Sequence, residues 1–450
     1  MLTSRSEDAQ ILPSEVLLSI INSLPNKKGL KEVRFTSKAV ACMVEPRLFD
    51  TVILVPYRDC LQDFARCMKE NPRIAYYVQT LQYKVWPRYV GEMEALHSNH
   101  VEAMATLRRS GPSEKNEEEE LSLIADCLSL LPSLRKIYTS EVDFGPRYAG
   151  TYISKRSHPY LRRISPHTLL PFRQCSSGDL TTGAQIAILA LSQVPSCPAI
   201  TELEMFYADA FDSFVDIPES SNERMATYRQ FFSQLKTIVL EFQLPYPERP
   251  WARRWCHSAG LLETQRNIGT LLASARRVER LHFRGANTSD PLQLYKKIGP
   301  DNSWLATLLR NDTGSIRHET IYPNLKVLEL GNAVCSESEL TTLITSNRHK
   351  LQKLILYKMV LVKHPREQNN NPSWVQTFKA IRGCSIPEVR IYGDLSYRGS
   401  PLRASVEFAA VTHHQLGNEI MPSCPGRRMD DVDSNFLDPA EEVESSLDEC

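Results

Sequence analysis

The feature that most constrains this chain is a short apolar alternation that returns along most of its length. VQTLQYKV (78–85), LPSLRKIYTS (131–140), ITELEMF (200–206) and LKTIVLEF (235–242) come first. VERLHFRG (278–285), LKVLELGN (325–332), LQKLILYK (351–358) and PEVRIYG (387–393) complete the series. Alternation with a period of two sends every second side chain to one face of a strand, so each segment reads as a strand with one buried side. Several share the form L-x-x-L-x-L, of which LPSLRKI, LKVLEL and LQKLIL are the clearest. Helical patterns precede many of them: EELSLIADCLSLL before Leu134, GAQIAILALSQV before Leu203 and NIGTLLASARRV before Leu281. The predicted class is therefore α/β.

A strand followed by a helix, repeated, is the unit of a leucine-rich solenoid, in which each unit buries its apolar face only against its neighbours. The stretch from about Val78 to Gly393 resembles degenerate leucine-rich-repeat-like domains, and 51–400 is the expected extent of a target-binding domain of that kind. The intervals between strands exceed those of a regular repeat, which assigns RRSGPSEKNEEEE (108–120), EFQLPYPERPWARRW (241–255) and KHPREQNNNPSW (363–374) to loops and insertions. The competing fold is an α/β domain with a parallel sheet, which the same alternation of elements also predicts. No Gly-rich phosphate loop follows any of the strands, which removes the commonest reason for such a domain to bind a nucleotide.

Ahead of the strands, ILPSEVLLSIINSLPNKKGLKEVRFTSKAVACMVEPRLFDTV (11–52) falls into three short helical patterns. Val16, Leu17, Ile20, Ile21 and Leu24 form the first stripe, which Pro25 ends. Leu30 and Val33 share one face of the second. Thr36 or Ser37 caps a third helix carrying Val40, Met43 and Val44. Pro46 is expected to stop that helix, and LFDTVILV (48–55) to form a strand. Helices this short are marginal alone, so their stripes must be buried against each other or against a partner. Leu12, Pro13, Val16 and Ile20, with Leu30 and Val33, exceed what three small helices need and are predicted to stay on the surface as a docking face.

Residues 8–50 resemble the F-box as it occurs in many fungal proteins, on LPSEVLLSII, Leu24, LKEVRFTSKAV and EPRLFDTV. The resemblance implies a three-helix module that binds the Skp adaptor of a cullin-based ubiquitin ligase through Leu12, Pro13, Glu15, Val16, Ile20, Leu30 and Val33. Arg34 and Lys38 stand at the family's basic positions, and Leu48 and Phe49 at its closing hydrophobic pair. Many such modules carry a tryptophan late in the third helix, where this sequence has Val40, Cys42 and Met43.

Composition narrows the remaining classes. Over 450 residues, 53 Lys+Arg balance 53 Asp+Glu, so the chain lacks the overall positive field of a non-specific nucleic-acid binder. Its longest apolar run, AQIAILAL (184–191), is too short to span a bilayer, and its start carries no signal-peptide pattern. A soluble cytoplasmic or nuclear protein is expected. The 11 cysteines include no C-x-x-C pair, which argues against a zinc ribbon or dithiol motif and for reduced, mostly buried thiols. Neither G-x-S-x-G nor H-E-x-x-H is present, and His97 and His100 have no third metal ligand nearby. No catalytic residue, cofactor or metal is therefore predicted.

Trp251, Arg253, Arg254 and Trp255 combine the residue types that dominate binding hot spots in a predicted loop, and are candidates for contacting a protein target. The alternative is that the two tryptophans fold back and plug a gap in the solenoid. The segment 401–450 ends in DDVDSNFLDPAEEVESSLDEC, acidic and without Lys or Arg, which predicts a disordered tail. The expected function is target recognition for a Skp–cullin–F-box ligase. The alternative is an F-box scaffold or interaction protein outside the ligase.

Overall fold

The computed structural model describes residues 13–24, 27–54, 58–85, 114–141, 183–194, 199–207, 222–242, 267–285, 304–309, 322–362, 374–398 and 406–408. Three short helices open the chain: α1 (Ser14–Ser23), α2 (Lys27–Arg34) and α3 (Lys38–Leu48). They bury Ile21, Leu30, Val44 and Leu48 in a core of their own. Ser37 caps α3 by accepting the backbone N–H of Val40 at 3.2 Å. Contrary to expectation, Pro46 lies inside α3, and the strand begins at Thr51 rather than Leu48. A proline in the last turn removes one backbone donor, while burial of Leu48 and the bond from Phe49 N–H to the Glu45 carbonyl, 3.0 Å, hold that turn helical.

The three-helix module is fastened to the strand–helix array. Glu45 is buried and pairs with Arg34 at 3.5 Å and with Arg73 of the Pro72–Tyr77 helix. Arg47 donates to the carbonyls of Ile21 and Leu24, satisfying the end of α1.

Twelve strands form one sheet among the described residues: β1 (Thr51–Leu54), β2 (Thr80–Val85), β3 (Lys136–Glu141), β4 (Glu202–Tyr207), β5 (Thr237–Phe242), β6 (Arg280–Arg284), β7 (Val327–Gly331), β8 (Val334–Ser336), β9 (Lys353–Tyr357), β10 (Val360–Val362), β11 (Glu388–Arg398) and β12 (Val406–Phe408). From β1 through β7 each strand pairs in parallel with the next in the chain, then β7 with β9 and β9 with β11. A doubly wound sheet reverses its strand order at a switch point; this one advances in a single direction, as repeated strand–helix units do. The short strands β8 and β10 come directly after β7 and β9 and continue into the second half of β11, making a second ladder in step with the first.

One backbone device recurs at each step from β1 to β9. The Asp50 carbonyl accepts the N–H groups of Gln79 and Thr80, that of Gln79 accepts Arg135 and Lys136, and that of Arg135 accepts Thr201 and Glu202. The same double acceptance continues at Thr201, Lys236, Glu279 and Lys326. Neighbouring units therefore join in one geometry, however many residues separate them in sequence.

The inward positions of the motif line up across the strands. Leu81, Ile137, Leu203, Ile238, Leu281, Leu328, Leu354 and Val389 are register partners in one buried row, and Tyr83, Thr139, Met205, Leu240, Phe283, Leu330, Leu356 and Ile391 in the next. Helices Arg58–Glu70, Pro72–Tyr77, Glu114–Ser129, Gly183–Gln193, Asn222–Gln234, Trp304–Leu309, Glu337–Asn347 and Trp374–Gly383, and helical residues 267–274, pack against these rows in the same core. Each inward leucine-sized side chain contributes about 1.5–3 kcal/mol of burial. The chain is thus mixed α/β with a parallel sheet, compatible with a leucine-rich-repeat-like solenoid. From the segment predicted to be a disordered tail, Val406–Phe408 forms β12, antiparallel to β11; the other residues of 401–450 lie outside the described residues.

Candidate functional site

Two surfaces carry groups that core packing does not explain. The first is on α1. At about 100° per residue, Val16 and Ile20 lie roughly 100–140° around the helix from the buried Ile21. They are 43% and 45% exposed, with Pro13 and Glu15 also exposed beside them. Of the residues predicted to form a docking face, these four remain at the surface, while Leu12 lies outside the described residues. Leu30 does not: it is 3% exposed, because its side of α2 closes on Ile21, Val44 and Leu48, and Val33 packs part-buried against the same cluster. The apolar excess is therefore smaller than the sequence suggested and is concentrated on α1. Phe35, just past α2, is 84% exposed and was not singled out from sequence.

The second surface is the face of the sheet opposite the helices. His282 on β6 stands between two carboxylates from the flanking strands, with Glu241 Oε1 3.1 Å from its Nε2 and Glu329 Oε1 3.3 Å from its Nδ1. The Glu241 contact has ion-pair distance without an aligned hydrogen bond. A neutral imidazole has one N–H and would turn a lone pair toward one of these carboxylates, whereas the imidazolium satisfies both. Burial of His282, 8% exposed, works against the charge, but its contacts with Glu241 and Glu329 outweigh that and raise its pKa. Burial likewise pushes the Glu329 carboxyl up, and the opposing pull of His282, Arg280 and Arg284 leaves it below its usual value.

Next to this triad, Arg284 Nη1 lies 3.4 Å from Glu241 Oε1, and the guanidinium sits over the Tyr357 ring at 5.2 Å from its centroid. Lys358 approaches the same ring at 4.9 Å. Farther along the sheet, Lys136 pairs with Glu204 at 2.7 Å, and Glu388 with Lys353 at 3.0 Å and Arg390 at 2.5 Å. Sequence reading did not single out His282 or Arg284. The available signal was the outward positions of the aligned motif, which place His282 level with Glu329 and Arg284 level with Tyr357 across Gly331.

The predicted target-contacting residues Trp251, Arg253, Arg254 and Trp255 lie outside the described residues. Among the described cysteines, Cys60, Cys127 and Cys335 are buried, whereas Cys42 and Cys67 are exposed, so the expectation of mostly buried thiols holds for only part of them. Burial pushes the Cys127 thiol up to about 12, and its Sγ–H donates to the Leu61 carbonyl at 3.4 Å. No group of three or more His, Cys, Asp or Glu is placed to hold a metal ion among the described residues. No helix among them is long and apolar enough to cross a membrane.

No protein-family model matches the sequence, and neither does any curated protein. Among solved structures, the leucine-rich repeat-containing protein LegL7 from Legionella pneumophila is similar at 12% identity and a TM-score of 0.28, over 77% of this chain and 91% of that one. The fold assignment comes from the strand order and the backbone pairing of this chain itself.

Proposed function

We propose that this chain is a target-recognition subunit of a Skp–cullin–F-box ubiquitin ligase, with α1–α3 as the F-box and the strand–helix array as a leucine-rich-repeat-like domain that holds a protein target. The observation that carries this reading is the exposure of Val16 and Ile20 on α1 when α1–α3 already have a closed core. Apolar side chains that fold stability does not require at the surface fit docking by a partner. The sequence resemblance of residues 8–50 names that partner as the Skp adaptor. Fastening of the module through Glu45 and Arg73 fits a receptor that holds a target at a set distance from the ligase. The role is proximity: other subunits carry out the transfer, and this chain raises the effective concentration of target lysines beside them.

The test is a pull-down of the full chain with a Skp adaptor and a cullin, comparing wild type with a Leu12→Ala/Pro13→Ala double substitution. Capture of both subunits by the wild type alone supports the ligase role. Capture of the adaptor without the cullin favours a scaffold outside the ligase, and capture of neither refutes the reading of residues 8–50.

A further inference from the structure

On the outward sheet face, Arg284 and Lys358 converge on one aromatic ring. Arg284, Gly331 and Tyr357 are register partners on three adjacent strands. Glycine inside a strand weakens it and commonly marks a place where something must approach closely. Here a Cβ on Gly331 would lie 3.2 Å from Arg284 Cγ, 3.3 Å from Arg284 Nε and 3.5 Å from Tyr357 Cδ1. The glycine is thus the floor across which Arg284 reaches the Tyr357 ring. That posture leaves Arg284 Nε buried without a hydrogen-bond partner among the described residues. Lys358, exposed on the same ring, makes no ion pair among the described residues either.

Among the described residues the local cations outnumber the carboxylates. Glu241 contacts His282 and Arg284, Glu329 contacts His282 and feels Arg280 and Arg284, and Lys358 has the Tyr357 ring as its neighbour. Glu241 and Glu329 both already have His282 as a neighbour. The guanidinium and the ammonium converge on one aromatic ring, whose face relieves part of their desolvation. An incoming carboxylate would meet the part-exposed Arg284 guanidinium and give Lys358 a counter-ion, both charge-assisted contacts.

We infer that Arg284, Tyr357 and Lys358, over the floor of Gly331, form an anion-binding site for carboxylate side chains in an acidic segment of a protein target. The inference rests on the reading of this domain as a target holder, and its chemistry is independent of adaptor docking.

The test is fluorescence anisotropy on the full chain without adaptor or cullin, using a short labelled peptide of alternating glutamate and glycine and its glutamine counterpart. The glutamate peptide is expected to bind and to weaken with salt, and the glutamine peptide is not. Arg284→Gln and Lys358→Gln are each expected to reduce affinity about tenfold. Gly331→Val, which wedges Arg284 off its floor, is also expected to reduce it. Arg66→Gln, on the surface of the Arg58–Glu70 helix and paired there with Asp63, is expected to change nothing. Lys358 is exposed, so its variant tests the site even if Arg284→Gln folds poorly. Absence of binding, equal binding of the two peptides, or wild-type affinity in Lys358→Gln overturns the proposal. Adaptor capture measured on the same preparation separates failure of this site from failure of the F-box reading.

Discussion

Replacing Gly285 with alanine tests how rigidly successive strand–helix units are joined. The added Cβ would lie 2.5 Å from the Asn332 carbonyl oxygen, 3.2 Å from its carbon and 3.6 Å from Ala333 Cα, whereas real Cβ contacts essentially never fall below 3.0 Å. Backbone must therefore move by at least about 0.5 Å, and this backbone is tied on several sides. Asn332 N–H donates to the Tyr357 carbonyl at 2.9 Å, the Ala333 carbonyl accepts Val360 N–H at 2.9 Å, and Gly285 N–H donates to the Gly331 carbonyl at 2.8 Å. Asn332 also holds a φ of 47°, a conformation with little room to adjust. Overpacking of this kind costs about 1–3 kcal/mol, and the lost freedom of the unfolded chain returns about 0.4–1 kcal/mol. The expected net destabilisation is about 1–2 kcal/mol, read as a lower urea midpoint with an unchanged slope in circular dichroism. Gly331→Ala is the internal comparison, because its nearest neighbour is the flexible Arg284 side chain, and it should shift stability by no more than about 0.5 kcal/mol. A Gly285→Ala protein as stable as wild type would refute the close fit between neighbouring turns.

Three further outcomes are expected from the same geometry. His282 has a raised pKa in the folded protein, so the stability it contributes is fully present below its unfolded value near 6.5 and is lost as pH rises through the folded value. The difference in melting temperature between wild type and His282→Gln should shrink from pH 6 toward alkaline pH, and a difference that grows contradicts the imidazolium bridge. Thr139 occupies a fully buried apolar row with its hydroxyl unpartnered among the described residues, so Thr139→Val should raise stability by about 1 kcal/mol in urea unfolding; a loss of similar size would mean that the hydroxyl has an acceptor. Ser336 and Glu339 form a reciprocal capping box, with Glu339 N–H donating to Ser336 Oγ at 3.2 Å and Ser336 N–H to Glu339 Oε2 at 2.8 Å. Ser336→Ala should cost about 1 kcal/mol by the same assay.

The eight long strands were legible because each writes its buried face into local sequence, as Leu325, Leu328 and Leu330 do in LKVLEL. β8 and β10 were not, since three-residue strands carry too little alternation to stand out and form only because β7 and β9 deliver them side by side. Pro46 misled because proline is a reliable breaker in a helix interior but a mild one in a last turn closed by buried Leu48. Leu30 misled because period alone identifies an apolar stripe and not which surface covers it. The cluster of Glu241, His282, Arg284 and Glu329 was invisible for a different reason. Its members come from three strands far apart in the chain, and only the aligned register makes them neighbours.

Adaptor docking on the exposed face of α1 can be measured as a binding isotherm of a purified Skp adaptor against the full chain, wild type and Val16→Glu/Ile20→Glu. Both side chains are exposed, so the variant should melt with the wild type. Docking through α1 requires a saturable wild-type complex and an affinity at least about 100-fold weaker in the variant, as expected when two apolar anchors of an interface are replaced by charges. A variant that binds as tightly as wild type, or a wild type that binds no adaptor, would contradict it.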